Sequence, residues 1–145
     1  MALVVLTVGV PRDPLLRDQV ERYRRRTPVP FQWEWDHVPE GGGRRGAGGL
    51  TGRLKPADRV VALDPAGELV DSESLARRVS SWLDGGGRTV LVIGGAEGLP
   101  REVKDRADWQ WSLSPLTFPH EMALVLVAEQ LYRAWAISHG HPYHK

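Results

Sequence analysis

Short, almost unbroken apolar runs alternate with helical patterns along nearly the whole chain, and few folds absorb that order. "ALVVLTV" (residues 2–8), "RVVALD" (59–64) and "RTVLVIGG" (88–95) are rich in β-branched residues and nearly free of polar interruptions. A strand with one wet face alternates in polarity, so continuous runs mark strands buried on both faces. After the first run, Asp13 reads as an N-cap and Pro14 as a first-turn residue. Leu16, Val20 and Tyr23 follow at helical spacing, which predicts an amphipathic helix from Pro14 to Arg26. Ser72 reads as the cap of a second helix, with Leu75, Val79, Trp82 and Leu83 as its buried stripe and Gly85 to Gly87 as its stop. Strands separated by helices give an α/β domain around a mainly parallel sheet with helices on both faces. A length of 145 residues suits one domain with a real core, and no repeat or boundary divides residues 1–145.

The remaining elements are shorter. Phe31, Trp33 and Trp35 alternate with Gln32, Glu34 and Asp36, the pattern of a half-buried strand. Residues 100–107 read as a short helix behind Pro100, "WQWSL" (109–113) as a strand, and "SPLTFP" (114–119) as a loop. Seven glycines between residues 41 and 52 predict a flexible loop. His120 to Ser138 is the longest helix, and its Leu124 to Ala128 and Leu131 are apolar on nearly every side. A helix apolar all round is buried all round. A second protomer is the simplest cover, so a homodimer is expected; a thicker core within one chain is the competing explanation.

Composition acts mainly by exclusion. With no cysteine there is neither a disulfide framework nor a thiolate metal site. The opening "MALVVLTVGV" is too short to span a bilayer and has no basic leader, so a cytoplasmic protein without a membrane partner is expected. A formal charge of +1 is far from that of a protein gripping naked nucleic acid through phosphates. Local clusters, Arg22 with Arg24 to Arg26, and Arg44, Arg45, Arg53 and Lys55, allow an RNA partner without demanding one.

Ligands of parallel sheets bind at the carboxyl ends of the strands, so "ALDP", "IGGAEG" and "LSPLTF" become the candidate site. The glycines of "IGGAEG" would let a backbone approach a ligand closely, although they match neither a dinucleotide nor a P-loop fingerprint, and a plain turn stays open. Glu129 and Arg133 stand at i and i+4, worth about 0.3–0.5 kcal/mol as a surface pair and more if Leu131, Tyr132 and Trp135 bury it. Three of the five histidines, His139, His141 and His144, fall within the last seven residues. Their spacing is broken by Gly140 and Pro142 and no carboxylate is near in sequence, so no metal site is expected.

Together "LVIGGAEGL", "WSLSPLTFPHEM", "AEQLYRAW" and the terminal "PYHK" resemble the ribosomal RNA large subunit methyltransferase H family. The resemblance runs the whole length and is strongest from Arg59 to Lys145. It implies a C-terminal trefoil knot, an obligate homodimer, S-adenosylmethionine as cofactor, and methyl transfer to N3 of a pseudouridine in 23S ribosomal RNA within the ribosome. It implies cofactor contacts at Leu63, Gly94 and Gly95, and along Leu113, Ser114, Pro115, Leu116, Thr117 and Phe118. Substrate contacts fall to His120, Glu129, Arg133, Tyr143 and His144. Of these, Arg133 suits stabilisation of a developing anion, His144 suits proton acceptance, and Tyr143 suits hydrogen bonding or stacking on the base. Where the family carries a basic residue after its P-H pair this chain has Leu124, and where it has a longer helical segment this chain has the glycine-rich stretch. A related knotted transfer RNA methyltransferase and a non-catalytic ribosome-associated binder are the rival readings.

Overall fold

The computed structural model describes residues 2–40 and 48–145. In chain order these form β1 (Leu3–Val8), α1 (Pro14–Arg26), β2 (Glu34–Val38), a 3-10 segment (Gly48–Arg53), β3 (Arg59–Leu69), α2 (Ser72–Asp84), β4 (Thr89–Ile93), α3 (Arg101–Arg106), β5 (Trp109–Ser112) and α4 (His120–Ser138). The five strands lie in the order β2-β1-β4-β3-β5, and every neighbouring pair is parallel.

Crossovers follow one rule. From β1 to β2 and from β3 to β4 the chain steps the same way across the sheet, with α1 and α2 on one face. From β4 to β5 it steps the opposite way, with α3 on the other face. A single crossover hand accounts for all three.

The apolar runs are continuous because both faces are covered. Leu3, Val5, Val61 and Leu91 point under α1, α2 and α4, while Val4, Leu6, Val60 and Val90 point toward Leu50, Leu99 and Val103 on the opposite side. Successive strand residues thus feed two separate cores.

Several boundaries differ from expectation. The second helix is capped by Asp71, not Ser72: Asp71 Oδ1 accepts from the Ser74 N–H at 2.7 Å, and Ser72 is the first helical residue. Phe31 and Trp33 are buried but precede β2, which pairs with β1 only from Glu34 to Val38. β3 does not stop at Asp64; its register with β5 breaks after Leu63 and resumes at Glu68. Gly67 permits that second approach, since a Cβ there would lie 2.6 Å from the Gln110 carbonyl oxygen. Of the glycine-rich stretch, residues 41–47 lie outside the described residues, while Gly48–Arg53 is a 3-10 turn that seats Leu50 fully in the core.

The cover of α4 also differs. It lies between α1 and α2 on the sheet, and Leu124, Val127, Ala128, Leu131 and Tyr132 are buried within this one chain. The apolar circumference therefore needs far less of a partner than the pattern suggested. Around the start of α4, Leu116 and Met122 are exposed, and Val125 and Leu126 on the helix are only partly buried.

Candidate active site

The register break of β3 and the carboxyl ends of β4 and β5 open into one cleft of about 490 Å³. Leu63, Gly94 and Gly95 line it from β3 and the β4 turn, and Leu113, Ser114, Leu116, Thr117 and Phe118 line it from the loop after β5. Pro115 belongs to that loop but does not form part of the wall. The loop braces itself: Ser112 Oγ donates to the Ser114 carbonyl at 3.0 Å, and Ser114 Oγ accepts from the Leu116 N–H at 3.0 Å.

In the glycine turn, the Gly98 N–H donates to the Gly95 carbonyl at 3.0 Å and Gly98 takes φ +79°. A Cβ on Gly94 would meet the Gly98 carbonyl carbon at 2.5 Å. The folding-back of the turn is by itself enough to require glycine at position 94, which also lines the cleft.

The cleft also holds a charged pair that the sequence reading passed over. Asp64 Oδ2 lies 3.1 Å from Lys104 Nζ, and both side chains line the wall. The Asp64 carboxyl is held below the usual carboxylate range, first by the Ala66 N–H and, against its burial, by Lys104. His120, expected among the substrate contacts, stands at the start of α4 on this same cleft.

A second cluster forms around the tail. Arg133 Nε donates to Glu129 Oε1 at 2.7 Å, and Arg133 Nη1 donates to His144 Nδ1 at 3.0 Å. His144 Nε2 then meets Glu73 Oε1 at 2.9 Å. A guanidinium only donates, so Nδ1 accepts and Nε2 carries the proton given to Glu73. That hydrogen bond is the main reason the Glu73 carboxyl is held below its ordinary value. With Glu129 and Arg133 side chains 16% and 24% exposed, this is no loose surface pair. The Tyr143 hydroxyl donates to Glu129 Oε1 at 3.4 Å, and its ring meets Tyr132 edge-on at 4.7 Å. Burial, then a hydrogen bond with Tyr23 and the Glu129 charge, push the Tyr143 phenol up to about 12.

The structure thus brings Glu129, Arg133, Tyr143 and His144 together and leaves His120 with the cleft. Glu73 completes the cluster from 71 residues away, where an acid in a helix's first turn looks ordinary in sequence. His139 Nδ1 pairs with the Trp135 carbonyl, and His141 Nδ1 accepts from the Tyr143 N–H, so the tail histidines go three separate ways. Among the described residues no group of three or more His, Asp or Glu is placed to hold a metal ion.

His144 and Glu73 edge a second hollow of about 520 Å³. Trp111, Leu113 and Phe118 line both spaces, so the tail cluster and the cleft share a wall.

Residues 1–144 match the family described as "Predicted SPOUT methyltransferase". A protein named Ribosomal RNA large subunit methyltransferase H from Parasynechococcus marenigrum (strain WH8102) is 42% identical over 142 residues, covering 97% of this chain and 94% of that one. Its namesake from Pseudomonas aeruginosa (strain UCBPP-PA14) is 38% identical, covering 100% of both. Among solved structures, a probable methyltransferase from Bordetella pertussis Tohama I has a TM-score of 0.60 at 17% identity, covering 92% of this chain and 94% of that one. A probable methylase family protein from Haemophilus influenzae Rd KW20 reaches 0.63 at 12% identity, covering 99% and 70%. These two share the fold.

Sheet, cleft and matched family define a SPOUT methyltransferase. Within that class the chain belongs to the ribosomal RNA large subunit methyltransferase H family. S-adenosylmethionine is the methyl donor of this family. The cleft suits such a group: its walls of Leu63, Leu113 and Phe118 are apolar enough for a nucleoside, and Asp64 offers one carboxylate to a cationic ligand.

Proposed function

We propose that the protein methylates N3 of a pseudouridine in 23S ribosomal RNA on the assembled ribosome, acting in the cytoplasm as a homodimer. The reading includes the C-terminal trefoil knot that the family resemblance implies. Full-length identity of 38–42% to proteins named for the ribosomal RNA large subunit supports the substrate. The observation that carries the chemistry is the hydrogen bond between Arg133 Nη1 and His144 Nδ1.

An imide presents an N–H beside a carbonyl oxygen. Arg133 and His144 present the complement, a donor and an acceptor 3.0 Å apart. A uracil-type base entering between them would receive the Arg133 N–H on its carbonyl oxygen and give its N3–H to His144 Nδ1. Both nitrogens of His144 are engaged in the structure, so the imidazole becomes a base only through this exchange. The N3 proton moves to Nδ1, the resulting imidazolium faces the Glu73 carboxylate through Nε2–H, and Arg133 steadies the charge left on the imide. Glu129 fixes the Arg133 fork, and Tyr143 keeps its phenol proton and lends a ring for stacking. S-adenosylmethionine, when bound, supplies the electrophilic methyl group. The residues that would hold it are Leu63, Gly94, Gly95 and the loop from Leu113 to Phe118, which align donor and acceptor by position.

The test is nucleoside mass spectrometry after incubating the enzyme and S-adenosylmethionine with ribosomes, large subunits or transfer RNA from a strain lacking the modification. N3-methylpseudouridine in 23S RNA is expected. Methylation of transfer RNA alone would replace the reading with its nearest rival.

A further inference from the structure

Asp64 is the only carboxylate lining the cleft among the described residues. Its side chain is 11% exposed; Oδ1 accepts from the Ala66 N–H at 2.9 Å, and Oδ2 faces Lys104. A carboxylate this sheltered needs a counter-charge, because burying it alone is costly. Lys104 supplies one from α3, a helix of six residues that places only Val103 in the core. The lysine side chain keeps 40% exposure, and its flexible stem gives it a route to solvent when something else takes its place.

The methyl donor and its product differ by one charge. S-adenosylmethionine carries a cationic sulfonium, and S-adenosylhomocysteine carries a neutral thioether. Apart from that charge and the transferred methyl group, the two are identical. A single carboxylate in a cleft with apolar walls therefore separates donor from product by Coulomb attraction.

We propose that Asp64 makes the cleft prefer S-adenosylmethionine over S-adenosylhomocysteine, and that Lys104 is a built-in surrogate cation that holds the carboxylate when the donor is absent. The donor's positive charge displaces Lys104 from Oδ2. Once the methyl group has left, the neutral product no longer competes, and Lys104 returns. The low protonation range of Asp64, set first by the Ala66 N–H, keeps it anionic throughout. The inference rests on the cleft being the cofactor site.

Isothermal titration of both ligands into wild type, Asp64→Asn and Lys104→Met tests it. The ratio of product to donor Kd should fall at least about fivefold in Asp64→Asn and rise in Lys104→Met, where the carboxylate has no resident partner. If the pair only braces β3 against α3, both variants melt earlier and the ratio stays at the wild-type value, which overturns the proposal. Should Asp64→Asn fail to fold, Lys104→Met decides alone, and an unchanged or lowered ratio sinks the idea. Thr117→Trp, which fills the cleft from its exposed rim, separates the two layers of the argument. Wild-type binding of both ligands in that variant removes the cleft assignment. Lost binding there, with an unchanged ratio in Asp64→Asn, removes only the role of Asp64.

Discussion

Arg133 Nη1 and His144 Nδ1 lie 3.0 Å apart, and this bond returns the end of the chain to the middle of α4. It also fixes the imidazole tautomer, since only an unprotonated Nδ1 accepts from a guanidinium. Replacing Arg133 with lysine keeps the charge but cannot reach Glu129 and His144 at once in the same plane. Arg133→Lys should slow methyl transfer by about 10²-fold, the scale of losing one oriented charge-stabilising donor. Its affinity for S-adenosylmethionine should match wild type, because Arg133 does not line the cleft. Steady-state kinetics beside calorimetry reads both.

Tyr143 gives a pH signature. Its phenol titrates near 12 when folded, against an ordinary value of 10.0. The raised value means the folded state holds the proton more tightly. Its contribution to stability is therefore complete below about pH 10 and fades as pH rises toward about 12. Ultraviolet titration should show a late-titrating phenol that disappears in Tyr143→Phe.

The glycine turn separates two kinds of requirement. Gly94→Ala puts a Cβ 2.5 Å from the Gly98 backbone, an overlap no side-chain rotation relieves, and should cost about 1–3 kcal/mol together with cofactor binding. Gly98→Ala meets open space but sits at φ +79°, so about 1 kcal/mol is expected from backbone strain. Thermal melts rank the two.

For the proposed homodimer, the informative positions are Leu116, 70% exposed, and Met122, 40% exposed. Leu116→Glu with Met122→Glu should shift the protein toward a folded monomer in light scattering. Leu124→Glu and Leu131→Glu test something else, since both leucines are buried within the protomer and a charge there breaks the core. A wild-type protein that runs as a monomer at micromolar concentration contradicts the dimer.

Strand continuity was legible because β1, β3 and β4 are covered on both faces, which leaves an unmistakable run of β-branched residues. The cap at Asp71 was not, since Asp71 and Ser72 are equally good capping types and only the backbone decides between them. For α4 the sequence left two sources of cover open. Much of its apolar surface is covered by α1 and α2 of the same chain, and helix-to-helix cover is invisible to a periodicity that looks at one segment. The strand-end rule located the cleft, yet Asp64 and Lys104 escaped it. An acid at the register break of β3 and a lysine on a short helix 40 positions later become a pair only when the sheet order places β3 between β4 and β5. Glu73 was hidden in the same way.

The division of labour between tail and cleft is tested most directly by one measurement, the single-turnover rate of methyl transfer to ribosomes by an enzyme ending at Pro142, saturated with S-adenosylmethionine. The truncation removes His144 and the Tyr143 ring but no residue of the cleft wall. Loss of the Tyr132–Tyr143 contact should lower stability by only about 0.5–1.5 kcal/mol. The predicted result is a rate reduced at least about 10²-fold with donor affinity retained. A truncated enzyme that methylates ribosomes at the full-length rate would contradict the account and leave the tail an ordinary terminus.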